Sequence, residues 1–193
     1  MRKRIALFLI TVSVLLLGAT LVHGDTFQID DTHSTVHFHV KHMSAGIFVG
    51  RFDAVSGTLD FNPEDPTQSS IEVTVQANSV STNNDRLNGH IKSPDFLNAA
   101  QFPEITFKST SVKKTGEDTY EVTGDLTIRG TTKQMTATAR HTGSSEINRK
   151  RIGFMTEFEV PRREFDVNYG KDELVGDIVT IAFNLEGFVP EEE

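Results

Sequence analysis

Alternation of apolar and polar residues along most of the chain is the feature that most limits its fold. Side chains two residues apart lie on the same face of a β-strand, so an alternating run predicts a strand with one buried face. Turn sequences such as Asn62-Pro63-Glu64-Asp65-Pro66 separate the runs. The pattern predicts about eight strands. Their apolar faces are Val36, Phe38, Val40 and His42; Leu59 and Phe61; Ile71, Val73, Val75 and Ala77; Ile105 and Phe107; Tyr120, Val122, Leu126 and Ile128; Met135, Ala137 and Ala139; Ile152, Phe154, Phe158 and Val160; and Val179, Ile181, Phe183 and Leu185.

Antiparallel strands in this number favour a closed barrel. Closure removes the exposed strand edges, and an eight-stranded barrel holds either packed side chains or one small ligand in its interior. The chain has 14 Phe and no Trp, and it has small residues at Gly124, Ala137, Ala139 and Ala182. Small residues favour an internal space, whereas the Phe residues suit a filled core equally well. The residues by themselves leave both interiors open.

The amino-terminal segment has the features of an export signal. Arg2, Lys3 and Arg4 precede the apolar run 5–22, and Gly24 offers a small residue before a cut at Asp25. We therefore predict a signal peptide at 1–24, one β-barrel domain at 25–190 and an acidic tail at 191–193. An uncleaved membrane anchor is the alternative, because a run of this length is close to the minimum for a membrane-spanning helix.

Charge and cysteine content exclude several kinds of partner and linkage. The formal net charge is -8, and it becomes more negative when the three amino-terminal cations are removed. Nucleic acid and anionic lipid surfaces are therefore unfavourable partners. Because the chain has no cysteine, it has neither disulfides nor a cysteine-linked lipid anchor, and its core must be stable without them.

One stretch, from Asn83 to Ala100, breaks the strand period. Ser93 is a suitable N-cap residue and Pro94 suits the first position of a helix. This predicts a short helix that begins there. With Phe96 and Leu97 on its apolar side, such a helix would cover one end of a barrel.

A set of motifs is spread over nearly the whole chain after Asp25: Asp30-Asp31-Thr32-His33-Ser34, 36–42, Val49-Gly50-Arg51-Phe52, 57–61, 90–98, 102–110, 124–130 with Thr132-Lys133, and Arg162-Arg163-Glu164-Phe165-Asp166-Val167. In their order and spacing, these motifs resemble the YceI family. The resemblance implies an eight-stranded lipocalin-like barrel in the periplasm, whose interior holds the tail of a polyisoprenoid quinone or a similar isoprenoid or fatty-acyl amphiphile. One departure precedes His90, where the family often has Arg-Asp and this chain has Leu87-Asn88.

The ligand site implied by this resemblance has an apolar interior and a polar rim. Burial of about ten methylene groups contributes on the order of 8 kcal/mol, against an association cost of ~4 kcal/mol or more. Polar groups then need only position the head group. The strongest candidate for a head-group contact is His42, because it lies on the same strand face as Phe38, which is predicted to point into the barrel. The predicted polar residues are Ser34, His42, Asn88, His90 and Arg162. The predicted cavity residues are Phe38, Val40, Phe52, Phe61, Phe96, Phe102, Phe107, Leu126, Ile128, Phe154, Phe158 and Phe183.

The expected function is that of a periplasmic carrier that sequesters such a lipid for transport, storage or stress response. The lipid is the expected ligand, and no catalytic cofactor is expected. Two alternatives are a structural or stress-related interaction protein with a filled barrel, and a redox accessory protein that presents a quinone to a membrane partner. A homodimer is left open, since nothing in the sequence specifies its interface.

Neither a metal site nor an enzyme is predicted. His37 and His39 share a strand face about 6.6 Å apart, but a third ligand is missing and His33 lies about 13 Å from His37. We expect His37 and His39 to face solvent. Ser34 and His33 point to opposite faces of a strand. The sequence has no Gly-x-Ser-x-Gly, no His-Glu-x-x-His and no glycine-rich phosphate loop.

Overall fold

A computed structural model describes residues 24–191 of the chain. The predicted signal peptide, except for Gly24, and most of the predicted acidic tail lie outside these residues. The described residues form eleven strands and one short α-helix, α1 (Asp85–Lys92). The strands are β1 (Asp25–Ile29), β2 (Thr35–His42), β3 (Gly46–Phe52), β4 (Val55–Phe61), β5 (Ser70–Gln76), β6 (Val80–Ser81), β7 (Glu104–Lys114), β8 (Thr119–Ile128), β9 (Thr131–Ser145), β10 (Arg151–Pro161) and β11 (Val175–Phe188).

Eight of these strands close a ring in which every pairing is antiparallel. The order is β1, β4, β5, β7, β8, β9, β10 and β11, and β11 pairs with β1 again. The remaining three strands extend the barrel wall. β2 pairs with β11 beyond the end of β1. β3 then pairs with β2, and β6 pairs with β3. The prediction of an eight-stranded antiparallel barrel with one short helix is therefore confirmed.

Alternation places the apolar side chains inside the ring. Leu59, Val73, Val75, Leu126 and Leu185 are all buried, while most of their sequence neighbours are more exposed. Antiparallel register puts inward residues of adjacent strands side by side, as in the pairs of β11 with β2. The hydrophobic core is thus the inner surface of the barrel.

A short loop interrupts the wall between β1 and β2. Asp30 donates its backbone N–H to the Glu186 carbonyl at 2.8 Å. Past the loop, the Ser34 hydroxyl donates to the same carbonyl at 3.1 Å and accepts from the Glu186 N–H at 3.0 Å. Ser34 therefore replaces part of the strand ladder, which keeps β1 and β2 in line along β11.

The helix begins earlier in the chain than the sequence predicted. Asn84 is the N-cap, and its side chain accepts from the Leu87 N–H at 3.1 Å. Ser93 ends the helix, and its hydroxyl donates to the His90 carbonyl at 2.7 Å. The predicted start at Ser93 is therefore wrong. Pro94 disfavours helical geometry in the residue before it, so the sequence Ser93-Pro94 can end a helix as well as begin one.

Between residues 24 and 191, no helix combines the length and the apolar character needed to cross a membrane.

Candidate functional site

Three adjoining cavities lie along the inside of the barrel. The upper chamber, at the end covered by α1, has a volume of about 360 Å³. The middle chamber has about 150 Å³ and the lower chamber about 70 Å³. Phe52 and Ile181 border both the upper and the middle chamber, and Ile71 and Phe183 border both the middle and the lower one. The shared walls make one elongated apolar interior.

Eleven of the twelve apolar residues predicted for the cavity lie on its walls. The exception is Phe102, which lines none of the three chambers. It packs against Gly130 in the β8–β9 turn, where an added Cβ would lie 2.6 Å from the Phe102 ring. The chamber-lining residues are Phe38, Val40, Phe52, Phe96 and Ile128 in the upper chamber, Phe107, Leu126, Phe158 and Phe183 in the middle chamber, and Phe61 and Phe154 in the lower chamber.

The five predicted polar residues divide into two groups. His42, His90 and Arg162 line the upper chamber. Ser34 and Asn88 line none of the three chambers. The Ser34 hydroxyl bonds the Glu186 backbone between β1 and β2. The Asn88 side chain accepts from the Thr82 N–H and hydroxyl, both at 2.8 Å. Asn88 therefore fixes the entry to α1, as a helix-flanking amide commonly does.

Arg162 is a buried cation, with 4% of its surface exposed. It lies in the short turn Arg162–Phe165 that follows β10. Its guanidinium donates to three backbone carbonyls, those of Val167 at 2.6 Å, Val175 at 2.8 Å and Gly176 at 2.9 Å. Burial, together with the neighbouring Arg163, lowers its pKa. These bonds hold the segment 163–174 against the mouth of the barrel.

His90 belongs to an aromatic cluster at the same mouth. Its ring lies 4.9 Å from that of Phe96 and 4.8 Å from that of Tyr169, centroid to centroid, both edge to face. Its Nε2 lies 3.0 Å from a carboxylate oxygen of Asp95. Edge-to-face packing of this kind stabilises the contact beyond simple burial. The cluster joins α1 to the segment after β10 across the opening.

Two residues at the mouth of the barrel were not predicted from the sequence. Tyr169 lines the upper chamber, but it lies in an irregular segment where no periodicity marks inward positions. Arg129 lies in the β8–β9 turn and donates to the carbonyls of Pro94, at 2.7 Å, and of Phe96. Arg129 thereby ties the segment after α1 to the barrel wall, and its position in a Gly-containing turn gave no sign of this role.

One group of potential metal ligands is already occupied by a cation of the protein. Ligand atoms of Asp30, His33 and Glu186 lie within 4.8 Å of one another. The Arg151 guanidinium, however, donates to Asp30 at 2.9 Å and also to Glu186. One arginine therefore already pairs with both carboxylates, and the group carries no argument for a bound ion.

His37 and His39 lie on the outer face of β2. This agrees with the strand alternation, in which they face away from the side of Phe38. They are half-buried rather than open to solvent. His37 is flanked by Arg51 and Ala182, and His39 by Val49 and Thr180, on the adjacent strands. These neighbours supply no metal ligand, so the strand face does not bring a third donor to the pair.

Comparison with known proteins agrees with this architecture. The family model of the YceI-like domain matches residues 27–187. A curated protein YceI from Salmonella newport is 33% identical over 86% of this chain and 88% of its own length. Protein YceI from Escherichia coli O17:K52:H18 is 35% identical over 86% of this chain and 87% of its own length.

Solved structures show the same barrel. BcnA from Burkholderia cenocepacia superposes with a TM-score of 0.77 at 25% identity, over 82% of this chain and 98% of its own. A domain from Saccharophagus degradans, described as polyisoprenoid binding and implicated in plant cell wall breakdown, superposes with a TM-score of 0.68 at 17% identity, over 85% and 98% of the two chains. With the family model spanning nearly every described strand, the chain belongs to the YceI family.

Proposed function

We propose that this protein is a carrier that sequesters one long amphiphilic lipid in its barrel, with an isoprenoid or fatty-acyl tail. The single observation that carries the proposal is the elongated apolar interior formed by the three chambers. Its largest chamber, at about 360 Å³, falls in the size range of small-molecule sites. A barrel with a filled core would leave no such continuous space beneath a polar mouth.

The division of the walls supports a tail-inward orientation. The ionisable residues on the upper chamber are His42, His90, Arg162 and Tyr169. The middle and lower chambers are lined almost wholly by aliphatic and aromatic side chains. Burial contributes about 0.8 kcal/mol per methylene group, so the tail supplies most of the affinity. The polar residues at the mouth then need only to hold the head group of the lipid in place.

Family membership supports a binding function over a catalytic one. The Saccharophagus degradans domain with the same fold is described as polyisoprenoid binding, which favours an isoprenoid tail, such as that of a quinone, among the ligands of this barrel. We propose that no catalytic cofactor is required. A membrane quinone-linked protein would be the natural exchange partner for a quinone cargo, and homodimers are compatible with such exchange.

The decisive experiment is mass spectrometry of an organic extract of the protein, purified gently from its native host. We expect a long-tailed amphiphile in about one-to-one ratio to protein. The variant Ala137→Phe places a ring in the middle chamber, whose wall Ala137 forms, and we expect it to lose long-tailed ligands. A matched control is Thr138→Phe, which adds the same ring at an exposed position one residue along β9.

Two outcomes would contradict the carrier function. One is an extract without lipid from folded wild-type protein that also takes up no added quinone, fatty acid or fatty amide. The other is equal lipid content in wild type and Ala137→Phe, which would place the lipid outside the barrel. The first outcome would favour an interaction protein.

We also propose that the protein works in the periplasm after cleavage before Asp25. The basic start and apolar run of residues 1–24 support this location. The intact mass of the protein recovered by osmotic shock tests it, since a mature chain beginning at Asp25 is expected. Full-length protein retained in the membrane fraction would show the alternative, an uncleaved anchor. Transport, storage and stress response are the roles that a periplasmic carrier would serve.

A further inference from the structure

The described residues on the walls of the upper chamber include an arginine and no carboxylate. Arg162, His42 and His90 line it together with the phenol of Tyr169, and neither Asp nor Glu is among its lining residues within 24–191. This is unusual for the chain as a whole, which has 27 acidic and 19 basic residues. The upper chamber thus has a cation on its wall, within a chain that is acidic overall.

Arg162 supplies this positive charge. Its described hydrogen bonds go to three backbone carbonyls, and none of them goes to a carboxylate. The carboxylates of Asp172 and Asp177 act on Arg162 only at longer range, and they contact Arg163 directly, at 2.6 and 3.5 Å. The charge of Arg162 thus has no direct ion-pair partner among residues 24–191.

A buried charge without a direct partner is energetically costly. Carbonyl dipoles offset part of that cost, but they use only three of the five N–H groups that a guanidinium offers. An anion entering the chamber would complete the ion pair. A guanidinium binds carboxylate and phosphate oxygens through short, charge-assisted hydrogen bonds, and the low dielectric of the apolar walls strengthens the attraction.

From this arrangement we infer that the barrel selects amphiphiles with an anionic head, either a carboxylate or a phosphate, over neutral ones. The head lies in the upper chamber against Arg162, with His42 and His90 beside it, and the tail extends into the middle and lower chambers. This inference rests on the proposed function for the binding of the tail. It goes further in naming the chemistry of the head.

Head-group selection is tested with ligands that share one tail. Binding of oleic acid, oleyl phosphate, methyl oleate and oleyl alcohol is compared by displacement of a fluorescent lipid, with ubiquinone as an additional neutral ligand. We expect wild-type protein to bind the two anions about tenfold or more tightly than the two neutral oleyl compounds, since a charge-assisted bond in a dry site contributes that much. The order of the acid and the phosphate identifies the preferred anion.

Two arginine variants separate a specific contact from general electrostatics. We expect Arg162→Gln to lose the preference for anions while retaining affinity for methyl oleate. Arg163→Gln is the matched control, because Arg163 pairs with Asp172 and Asp177 and does not line the chamber; it should keep the preference. An equal loss of preference in both variants would overturn the assignment to Arg162.

The wild-type series alone is sufficient if Arg162→Gln does not fold. Equal affinity for methyl oleate and oleic acid, or tighter binding of ubiquinone than of either anion, would overturn anion selection while leaving the lipid-carrier function intact. If none of the five ligands binds to folded protein, the carrier function itself fails, and the inference fails with it. Each result is thus attributable to one of the two claims.

Discussion

At the scale of single residues, Asp30 is the charge on which the wall between β1 and β2 depends. It is 6% exposed. Its carboxylate accepts from the Arg151 guanidinium and lies beside the His33 ring nitrogen, both at 2.9 Å, and it also accepts from the Thr32 N–H at 3.1 Å. Burial by itself would raise the pKa of Asp30, but these bonds outweigh it and hold the pKa well below its ordinary value.

Replacement of this carboxylate should alter the acid stability of the barrel. Because the folded-state pKa of Asp30 is depressed, its ionised carboxylate stabilises the fold fully above the unfolded-state pKa of about 4. This stabilisation is lost progressively as the pH falls from that value towards the folded-state pKa. We expect Asp30→Asn to lower the free energy of unfolding by about 2 kcal/mol at pH 7, with a smaller difference at pH 3. Urea denaturation across this range measures it.

A suitable control is Asp31→Asn, since Asp31 is exposed and its removal should change stability little. A difference between Asp30→Asn and wild type that stays constant from pH 7 to pH 3 would show that the ionised carboxylate is not the stabilising species.

Gly50 sets the shape of the upper chamber through its missing side chain. It pairs with Phe38 across β2 and β3, and a Cβ added at Gly50 would overlap the Phe38 ring. We expect Gly50→Ala to push this ring into the chamber, to weaken lipid binding several-fold and to destabilise the fold by about 1 to 3 kcal/mol. Gly46→Ala is the control on the same strand, because its Cβ would meet no atom within 4 Å. Unchanged lipid affinity in Gly50→Ala would exclude Phe38 from the ligand path.

At the scale of elements, the β2–β3 hairpin has an unfavourable turn sequence. Met43 and Ser44 both have left-handed backbones, with φ of 50° and 52°, and the Ala45 N–H donates to the His42 carbonyl at 3.1 Å. Turns of this kind favour Asn-Gly, because left-handed geometry costs other residues roughly 1 kcal/mol each. The tip is therefore strained, and Met43 is 61% exposed.

Changing this turn should stabilise the protein without touching the chambers. We expect the double variant Met43→Asn with Ser44→Gly to raise the free energy of unfolding by about 1 kcal/mol, and lipid binding to remain as in wild type. Thermal denaturation and ligand displacement measure the two effects. A lower melting temperature would mean that contacts of Met43 or Ser44, such as the Ser44 hydroxyl with the Glu173 carbonyl at 3.4 Å, outweigh the strain.

Regular elements were the part of the fold that sequence could predict. Alternation identified the inward faces because burial on one face of a strand forces a period of two. The same rule cannot place a residue such as Tyr169, whose position depends on bonds that Arg162 makes to distant carbonyls. The sequence prediction also placed the N-cap at Ser93, whereas the structure has it at Asn84, because Ser and Asn are both favoured N-cap residues. The interior of the site was thus predictable, and much of its mouth was not.

At the scale of the whole molecule, a ligand that filled all three chambers would contact most strands of the sheet. Binding to the folded state alone stabilises it, by about 2.7 kcal/mol when free ligand is at 100 times its dissociation constant. We expect the melting temperature of delipidated protein to rise with the logarithm of added ligand, measured by scanning calorimetry. The rise should be absent in Ala137→Phe for long tails. A wild-type melting temperature that does not depend on ligand would contradict binding inside the barrel.

Closure of the ring joins the two ends of the described chain, through the pairs of Gln28 with Phe188 and of Ile29 with Gly187. The ribosome therefore makes the first strand long before the last strand that completes its pairing. Until β11 emerges, the apolar inner faces of the earlier strands are not enclosed, and exposed apolar strand faces of this kind favour aggregation. Because the barrel interior does not exist before β11 has paired, a ligand could enter it only after β11 has been made.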